Sequence, residues 1–346
     1  MNPRPPGWIR RLIGVMAPHR RHAFVAIGVA VAGQLLQSFV PVVERVILDD
    51  VVGDGRRAPA PWIALLVAMT VATFGLAYLR RFHGGRIAFD VQHDLRAAIF
   101  RQLQRLDFAR HDELRTGQLV SRASSDIALI QGFLLFLPIG LANIVMFVVS
   151  LAIMFWLSPL LASVMLVVGP VLGFTALRLR TSVFPASWDA QQRAGDVANV
   201  IEEAVTGVRV VKGFGQERHE LDRLVERSER LFASRVRLVE VQSRLQPALQ
   251  TIPALGQVAV LALGGWLTLE GRITVGTFLA FATYMLLITP PVRQLAAILA
   301  VAQLARAGAE RIFDLLDSTP LVVETADAAA LVPTAGEVVF DAVTFG

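Results

Sequence analysis

Residues 133–157 read FLLFLPIGLANIVMFVVSLAIMFWL, a run of 25 residues without one ionisable side chain. After Ser158 and Pro159, the residues up to Leu177 are again uncharged. A helix of about 20 apolar residues, rising about 1.5 Å per residue, crosses the ~30 Å hydrocarbon layer of a bilayer. Because only a short Ser–Pro connection separates the two runs, we expect two antiparallel helices that cross a membrane side by side.

Four further apolar runs bring the number of expected spans to six. The chain is 54% hydrophobic and only 18% charged, whereas soluble domains carry about 25% charged residues. The first run follows Arg4, Arg10 and Arg11, as in a signal peptide, but it is long enough to span and five more follow, so we expect it to be retained. The predicted spans are residues 23–43, 62–79, 133–157, 159–177, 248–269 and 273–292.

The distribution of basic residues predicts the orientation of these spans. The connections on one side carry 29 Arg and Lys residues, and those on the other side carry 4. Since basic connections stay in the cytoplasm, both termini are expected there, in the inner membrane of a bacterium. Trp8 and its apolar neighbours lie among arginines, so residues 1–22 are expected to hold an interfacial helix ahead of the six-helix domain, 23–317.

Several kinds of chemistry are disfavoured by composition. The chain has no cysteine, which excludes disulfides and thiolate chemistry. The net charge is +5, but basic residues are not interleaved with aromatics as in a single-strand nucleic-acid binder, so no nucleic-acid partner is expected. None of the six histidines pairs with another at metal-ligand spacing on a helix. We therefore expect neither a metal site nor catalysis in this stretch of chain.

Two segments on the basic side, 80–131 and 178–247, are too long for ordinary connections, yet their apolar pattern is helical. Leu95, Ile99, Leu103 and Leu106 share one helical face, as do Val197, Ile201, Ala204 and Val208. We expect the membrane helices to continue into the cytosol as paired helices that turn at their far tips. The alternative is that the two segments form separate small soluble helical domains. This is disfavoured because no Pro/Gly-rich hinge separates the spans from these helices.

Three motifs lie at characteristic distances from the spans. The first segment contains LDFARHDELRTGQLVSR at residues 106–122, followed by Asp126. The second contains GVRVVKGFGQE at residues 207–217, and AERIFDLLD follows the sixth span at residues 309–317. Together they resemble the transmembrane domain of exporter-type ABC transporters, and the resemblance covers nearly the whole chain.

The resemblance implies that each tip forms a coupling helix, about His111–Gln118 and Lys212–Glu217, which docks on a nucleotide-binding domain. It further implies a domain-swapped dimer with a second half-transporter, identical or different, in which the second tip docks on the partner subunit's ATPase domain. Gly117, Gly213 and Gly215 would permit the sharp turns, and Phe214 would be an interface anchor. The residues expected to couple to the ATPase domain are His111, Glu113, Thr116, Gly117, Gln118, Lys212, Phe214, Gln216 and Glu217.

The C-terminal residues 336–346 are rich in β-branched and aromatic side chains and predict a short strand, preceded by a linker at 318–335. In the resembled family this strand opens the nucleotide-binding domain, which binds ATP and Mg²⁺. A phosphate-binding loop needs Lys followed by Ser or Thr, and the only lysine here, Lys212, precedes Gly213. We therefore expect ATP and Mg²⁺ only in a longer protein that hydrolyses ATP, of which this chain is a piece cut at a domain boundary.

Polar groups within the spans indicate where a cargo could bind. Amides in hydrocarbon either bond between helices or line a water-filled cavity, and the sequence does not separate the two. Apolar walls favour a hydrophobic or amphipathic cargo: a lipid, drug, peptide or siderophore. The candidate cavity residues are Gln34, Gln37, Asn143, Gln250, Gln257, Tyr284 and Arg293.

The leading interpretation is thus an all-α membrane protein, the transmembrane half of an ATP-driven transporter that works by alternating access. One alternative is a six-span channel or secondary transporter without ATPase, which would need intramembrane carboxylates or a pore ring. The spans contain no Asp or Glu in their middles, which disfavours proton coupling. A second alternative is a membrane-anchored signalling protein with a cytoplasmic coiled coil, which the short apolar stripes disfavour.

Overall fold

The computed structural model describes residues 7–53, 55, 58–113, 116–321, 327–328, 336 and 338–344. Within these residues, six helical stretches are long and apolar enough to cross a membrane. The described part is built of helices, bounded as follows: α1 Trp8–Met16, α2 Arg20–Val46, α3 Pro59–Arg105, α4 Phe108–Glu113, α5 Thr116–Ser121, α6 Ile127–Leu157, α7 Pro159–Thr206, α8 Val208–Gly213, α9 Glu217–Leu245, α10 Ala248–Leu269 and α11 Val275–Leu316.

Five predicted spans are confirmed as helical over their whole length, within α2, α3, α6, α7 and α10, and the sixth is confirmed from Val275 onward, in α11. The predicted turn between α6 and α7 is also confirmed. Ser158 is extended, its N–H donates to the Met154 carbonyl at 3.0 Å, and Pro159 opens α7, where a missing N–H costs nothing. The sixth helix begins at Val275, two residues after the predicted boundary, because the Thr274 hydroxyl accepts the Thr277 N–H and caps it.

Two helices run far beyond their apolar portions. α3 has 47 residues and α7 has 48, so each measures roughly 70 Å, about twice the thickness of a hydrocarbon layer. The predicted continuation of the spans as long helical levers is therefore confirmed. The alternative of separate inserts is wrong, because neither helix breaks where its apolar portion ends.

The side chains are packed around two apolar cores. One lies at the basic end, where Leu12 of α1, Leu95 and Ile99 of α3, and Ile312 of α11 are all buried. The other joins α6, α7, α10 and α11 around Tyr284 and Phe281. α11 contributes to both cores, so it ties the membrane bundle to the levers.

The two predicted lever stripes have different outcomes. Leu95, Ile99 and Leu106 are buried, as predicted. The second stripe is helical as predicted up to Ala204, but its environment differs: Ile201 and Val208 are exposed, and Val200 on another face is buried. α9 is among the helices that pack against α7, and the two stripe residues stay exposed.

A short π-helical segment, Arg122–Asp126, leads into α6 and meets α11. Asp126 is 4% exposed and accepts two hydrogen bonds from the Arg311 guanidinium, the Nε bond being 2.9 Å long. This bonding raises the pKa of Arg311. A Cβ on Gly308 would lie 2.9 Å from the Asp126 carbonyl. Arg311 and Asp126, from two of the quoted motifs, thus lock the first segment to α11.

The predicted strand at 336–346 is not formed by its described residues, 338–344, which have no regular structure. A strand needs a neighbouring strand for its backbone hydrogen bonds, and the described part of the chain offers none. The rest of this predicted element and most of the predicted linker lie outside the described residues.

We predict that Arg311→Ala lowers the free energy of unfolding by about 2 kcal/mol, because it leaves the Asp126 carboxylate buried without a cation. Loss of a fully buried pair costs more, but Arg311 is half exposed and solvent screens part of the effect. The melting temperature of the purified protein in detergent measures the change.

Arg306→Ala is the matched control on the same helix. Its partner Glu310 and Arg306 itself are both exposed, so the loss should be about 0.5 kcal/mol or less. Equal melting temperatures for the two variants would contradict the locking role of the Arg311–Asp126 pair.

Candidate coupling tips and polar groups of the membrane bundle

The second tip is the turn between α7 and α9 and contains the short helix α8. The predicted helix at Lys212–Glu217 is wrong in its position. The helix occupies Val208–Gly213, four residues earlier, so Lys212 lies in its last turn. Phe214 and Gln216 lie in the turn that follows, and Glu217 begins α9.

The end of α8 is fixed by backbone hydrogen bonds. The Gln216 N–H donates to the Val211 carbonyl at 3.0 Å, and the Gly215 N–H donates to the Lys212 carbonyl at 3.3 Å. Gly215 has φ +63°. This pair of bonds around a left-handed glycine is the Schellman motif. It explains the helix boundary and reverses the chain toward α9.

Only one of the three predicted turn glycines has this role. Gly215 adopts the left-handed conformation, whereas Gly213 and Gly117 lie within α8 and α5. The expectation for Gly213 is wrong, because the second tip reverses at Gly215, after the helix rather than inside it. Gly117 is helical.

Phe214 is presented by this turn with 77% of its surface exposed. The Gln216 side-chain amide donates to the Phe214 carbonyl at 3.4 Å, so it braces the turn. A large aromatic held at a tip by backbone geometry, with no cover from its own chain, is typical of an interface anchor.

The first tip lies between α3 and α6 and consists of α4 and α5. Of the predicted helix at His111–Gln118, the residues up to Glu113 are helical in α4 and those from Thr116 are helical in α5, and residues 114 and 115 lie outside the described residues. Asp107 caps α4, because its Oδ1 accepts the Arg110 N–H at 3.0 Å. His111 Nε2 lies 2.9 Å from the Leu103 carbonyl, so this side chain binds its own hairpin.

Sequence reasoning missed Phe108, which is 90% exposed at the start of α4. The signal was present: an aromatic that directly follows a capping Asp at a loop tip is presented outward. The two tips therefore each carry one uncovered phenylalanine, Phe108 and Phe214.

The chain beyond α11 returns to the first tip. Asp107 Oδ2 accepts the Leu321 N–H, and Gln102 of α3 binds Ser318. Arg11 of α1 bonds Asp317 through Nη2 at 2.6 Å and lies 4.2 Å from the centre of the Phe313 ring. Helices α1, α3 and α11 and the first tip are joined at this one place.

In the membrane bundle, two predicted cavity residues bind each other. Gln34 Nε2 of α2 donates to Asn143 Oδ1 of α6 at 2.6 Å, and Asn143 Nδ2 donates to Gln294 Oε1 of α11 at 2.8 Å. Asn143 is 1% exposed. The sequence left two roles open for such amides: bonding between helices, or lining a water-filled cavity. For Gln34 and Asn143 the structure supports bonding between helices. Gln294 was missed because it follows the predicted end of the sixth span.

Tyr284 is also placed inside the protein. It is fully buried, and its hydroxyl donates to the Ser38 backbone carbonyl at 2.7 Å. The sequence predicted that Tyr284 lines a cavity. In the structure its hydroxyl instead bonds α11 to α2. Gln37 is half-buried on α2.

The remaining two predicted amides line a pocket of about 490 Å³ between α10 and α11. Gln250, Gln257, Met285 and Thr289 contribute to its walls. The Gln257 Oε1 atom is buried and has no hydrogen-bond donor. Because an unpaired buried acceptor is costly, this oxygen is suited to a ligand that brings an N–H or O–H group.

The opposite end of the bundle is held by Asp49, which follows α2. Its Oδ1 accepts the Gly276 N–H at 2.8 Å, and its other oxygen accepts the Thr274 hydroxyl. A Cβ on Gly276 would lie 2.5 Å from the Arg45 carbonyl. Nearby, the Thr283 hydroxyl donates to Glu44 at 3.1 Å. Close approach and polar bonds thus pin α2 to α11 at this end.

The residues present do not fit ATP and Mg²⁺. Lys212 is in α8, with Gly213 after it where the phosphate loop needs a hydroxyl. Among the described residues, no group of three His, Asp or Glu side chains is arranged to hold a metal ion. The side chains of Glu113, Thr116, Gln118 and Arg293 lie outside the part of the chain that the structure describes.

Comparison with known proteins agrees with this architecture. The chain is 42% identical over 314 residues to a multidrug efflux ATP-binding/permease protein of Mycobacterium bovis, covering 91% of this chain and 26% of that protein. It is 25% identical over 325 residues to an ATP-dependent lipid A-core flippase of Syntrophus aciditrophicus, covering 93% of this chain and 54% of the flippase.

A flippase of the same description from Aromatoleum aromaticum is 29% identical over 266 residues, covering 75% of this chain and 43% of that protein. The chain thus spans about half the length of these flippases and a quarter of the mycobacterial relative. Residues 23–292 match the ABC transporter transmembrane region. This chain is a multi-pass membrane protein that belongs to the ABC transporter transmembrane family.

Proposed function

We propose that this chain is the transmembrane part of an ATP-driven exporter that works as a dimer of two such halves. The observation that carries the proposal is the pair of levers, α3 and the α7–α9 hairpin, each ending in a tip with an uncovered phenylalanine. Nucleotide-binding domains, supplied by the longer protein or by a separate chain, would bind ATP and Mg²⁺ and seat these tips.

The exposed side chains of the second lever support the dimer. Val225, Phe232 and Val239 of α9 are apolar and exposed, although they lie on the part of the chain expected in water. Such a surface requires a partner. A second half-transporter, identical or different, would cover it, and the second tip would then lie on the partner subunit's ATPase domain.

Movement of the tips provides alternating access in this proposal. ATP binding draws the ATPase domains together, the levers follow because they are continuous with the spans, and the bundle switches between inward-open and outward-open forms. The bonds of Asp49 to the start of α11 close the end opposite the levers. Both termini would lie in the cytoplasm and the spans in the bacterial inner membrane.

The cargo class is hydrophobic or amphipathic. The relatives are named for multidrug efflux and for lipid A-core flipping, and the pocket between α10 and α11 has apolar walls beside the Gln257 carbonyl. A small molecule or lipid with one hydrogen-bond donor matches these walls. A six-span channel or secondary transporter is not favoured, because the family and its relatives are ATP-binding transporters.

We predict that Phe214→Ala uncouples transport from ATP hydrolysis without loss of folding. The side chain is 77% exposed, so its removal costs the isolated protein little, whereas an interface anchor contributes about 2 kcal/mol or more to docking. In proteoliposomes of the complete transporter, cargo-stimulated ATPase activity should fall at least tenfold while the melting temperature stays the same.

Phe89→Ala is the matched control, because Phe89 is 59% exposed on α3 but lies away from both tips. It should leave the coupling of ATPase activity to cargo in place. Normal transport by Phe214→Ala would contradict the docking role of the second tip.

A second prediction separates cargo contacts from helix packing. Gln257→Leu should preserve the melting temperature, because it removes an unpaired buried acceptor, and lower transport of donor-bearing cargo roughly fivefold through loss of one hydrogen bond. Asn143→Leu should lower stability by about 1 kcal/mol, because two interhelical bonds are lost. Reduced stability in Gln257→Leu with cargo transport unchanged would contradict the pocket.

A further inference from the structure

An apolar groove of about 690 Å³ lies between α1, the first turns of α2, and α6. Its walls include Trp8 and Ile13 of α1, Ala23 and Phe24 of α2, and Phe133 of α6. The Trp8 and Phe133 rings meet edge to face with centroids 5.8 Å apart, and they form the back of the groove. Ile13 and Phe24 are largely exposed and mark its mouth.

Arg20 is the charged residue among those that line this groove. It is exposed, and within the described part of the chain its guanidinium has no carboxylate partner. The nearby carboxylates are already engaged: Asp94 lies 2.7 Å from His19 Nε2, and Asp90 lies 3.6 Å from Arg86 Nε. The groove therefore combines an apolar slot with one available cation at its edge.

The location of the groove indicates which ligand matches this pattern. α1 carries arginines beside apolar side chains and leads, through one short 3₁₀ turn, into the first membrane helix, so we place it at the membrane interface. At that depth the slot would open toward the hydrocarbon, and Arg20 would lie at the level of the lipid headgroups. Arginines at this level attract anionic lipids, and a guanidinium binds phosphate through charge-assisted hydrogen bonds.

We propose that this groove binds an anionic phospholipid, with an acyl chain between Trp8 and Phe24 and the phosphate on Arg20. The neighbouring Arg11 is occupied by Asp317 and the Phe313 ring, so α1 connects the lipid site to the end of α11. A bound lipid would hold α1 against the bundle through this connection.

The test uses the whole protein in nanodiscs of phosphatidylcholine, into which brominated phosphatidylglycerol or brominated phosphatidylcholine is titrated. Bromine on the acyl chain quenches tryptophan fluorescence on contact. The chain has five tryptophans, and subtraction of the Trp8→Phe signal isolates Trp8. We expect half-maximal quenching of Trp8 at a lower mole fraction of the anionic lipid than of the neutral one.

Arg20→Gln should raise that mole fraction about fivefold for phosphatidylglycerol and leave phosphatidylcholine unchanged, as expected for one cation at a membrane surface. Arg21→Gln removes the same charge one residue away, outside the groove, and should keep the preference. Ala23→Phe fills the slot and should abolish Trp8 quenching by both lipids, while an unchanged melting temperature shows that it folds.

Three results would overturn the proposal. Equal quenching by both lipids would mean ordinary boundary lipid, and loss of the preference in Arg21→Gln as much as in Arg20→Gln would mean a diffuse charge effect. No quenching of Trp8 by either lipid would mean that protein fills the groove.

Discussion

A polypeptide in hydrocarbon has to satisfy every backbone N–H and C=O within itself, and this constraint governs the molecule. Its crossing segments are consequently unbroken helices. When α3 and α7 leave the apolar layer, both stay helical. α3 has no proline in its interior, whereas the outer part of α7 contains Pro185, whose missing N–H removes one bond of the helical ladder. A displacement at the first tip therefore becomes a tilt of the α3 span, whereas α7 has a place to bend at Pro185.

The two levers are supported in different ways. α3 is buried against α1, α6 and α11 in a core of Leu and Ile side chains, and the Arg311–Asp126 pair closes that core at one side. The α7–α9 hairpin has no such support, and the apolar side chains of α9 face outward. The contacts within the chain surround the first lever, whereas they leave the apolar face of α9 uncovered, and this is the face that the proposed dimer would cover.

The spans, their tight connection at Ser158 and the long levers could be predicted because each follows from uninterrupted apolar or amphipathic runs. The position of α8 could not, because the choice between helix and turn at residues 212–216 is made by the hydrogen bonds around Gly215. The polar groups were less predictable still. Gln34, Asn143 and Gln294 belong to three helices, and their meeting depends on how those helices pack. Gln257 was proposed for a cavity on the same grounds as Asn143, yet Gln257 lines a pocket between α10 and α11 whereas Asn143 bonds to two neighbouring helices.

The carboxylate of Asp107 joins two parts of the chain that are more than 200 residues apart in sequence, since one oxygen caps α4 and the other receives the Leu321 N–H. The chain that leaves α11 is therefore fastened at Leu321 to the base of its own first tip. In the proposed dimer, contact with the other half would be made through the second tip, Val208 to Glu217, and through the exposed apolar face of α9. Discrimination between a self-pair and a mixed pair would accordingly depend on these two surfaces together.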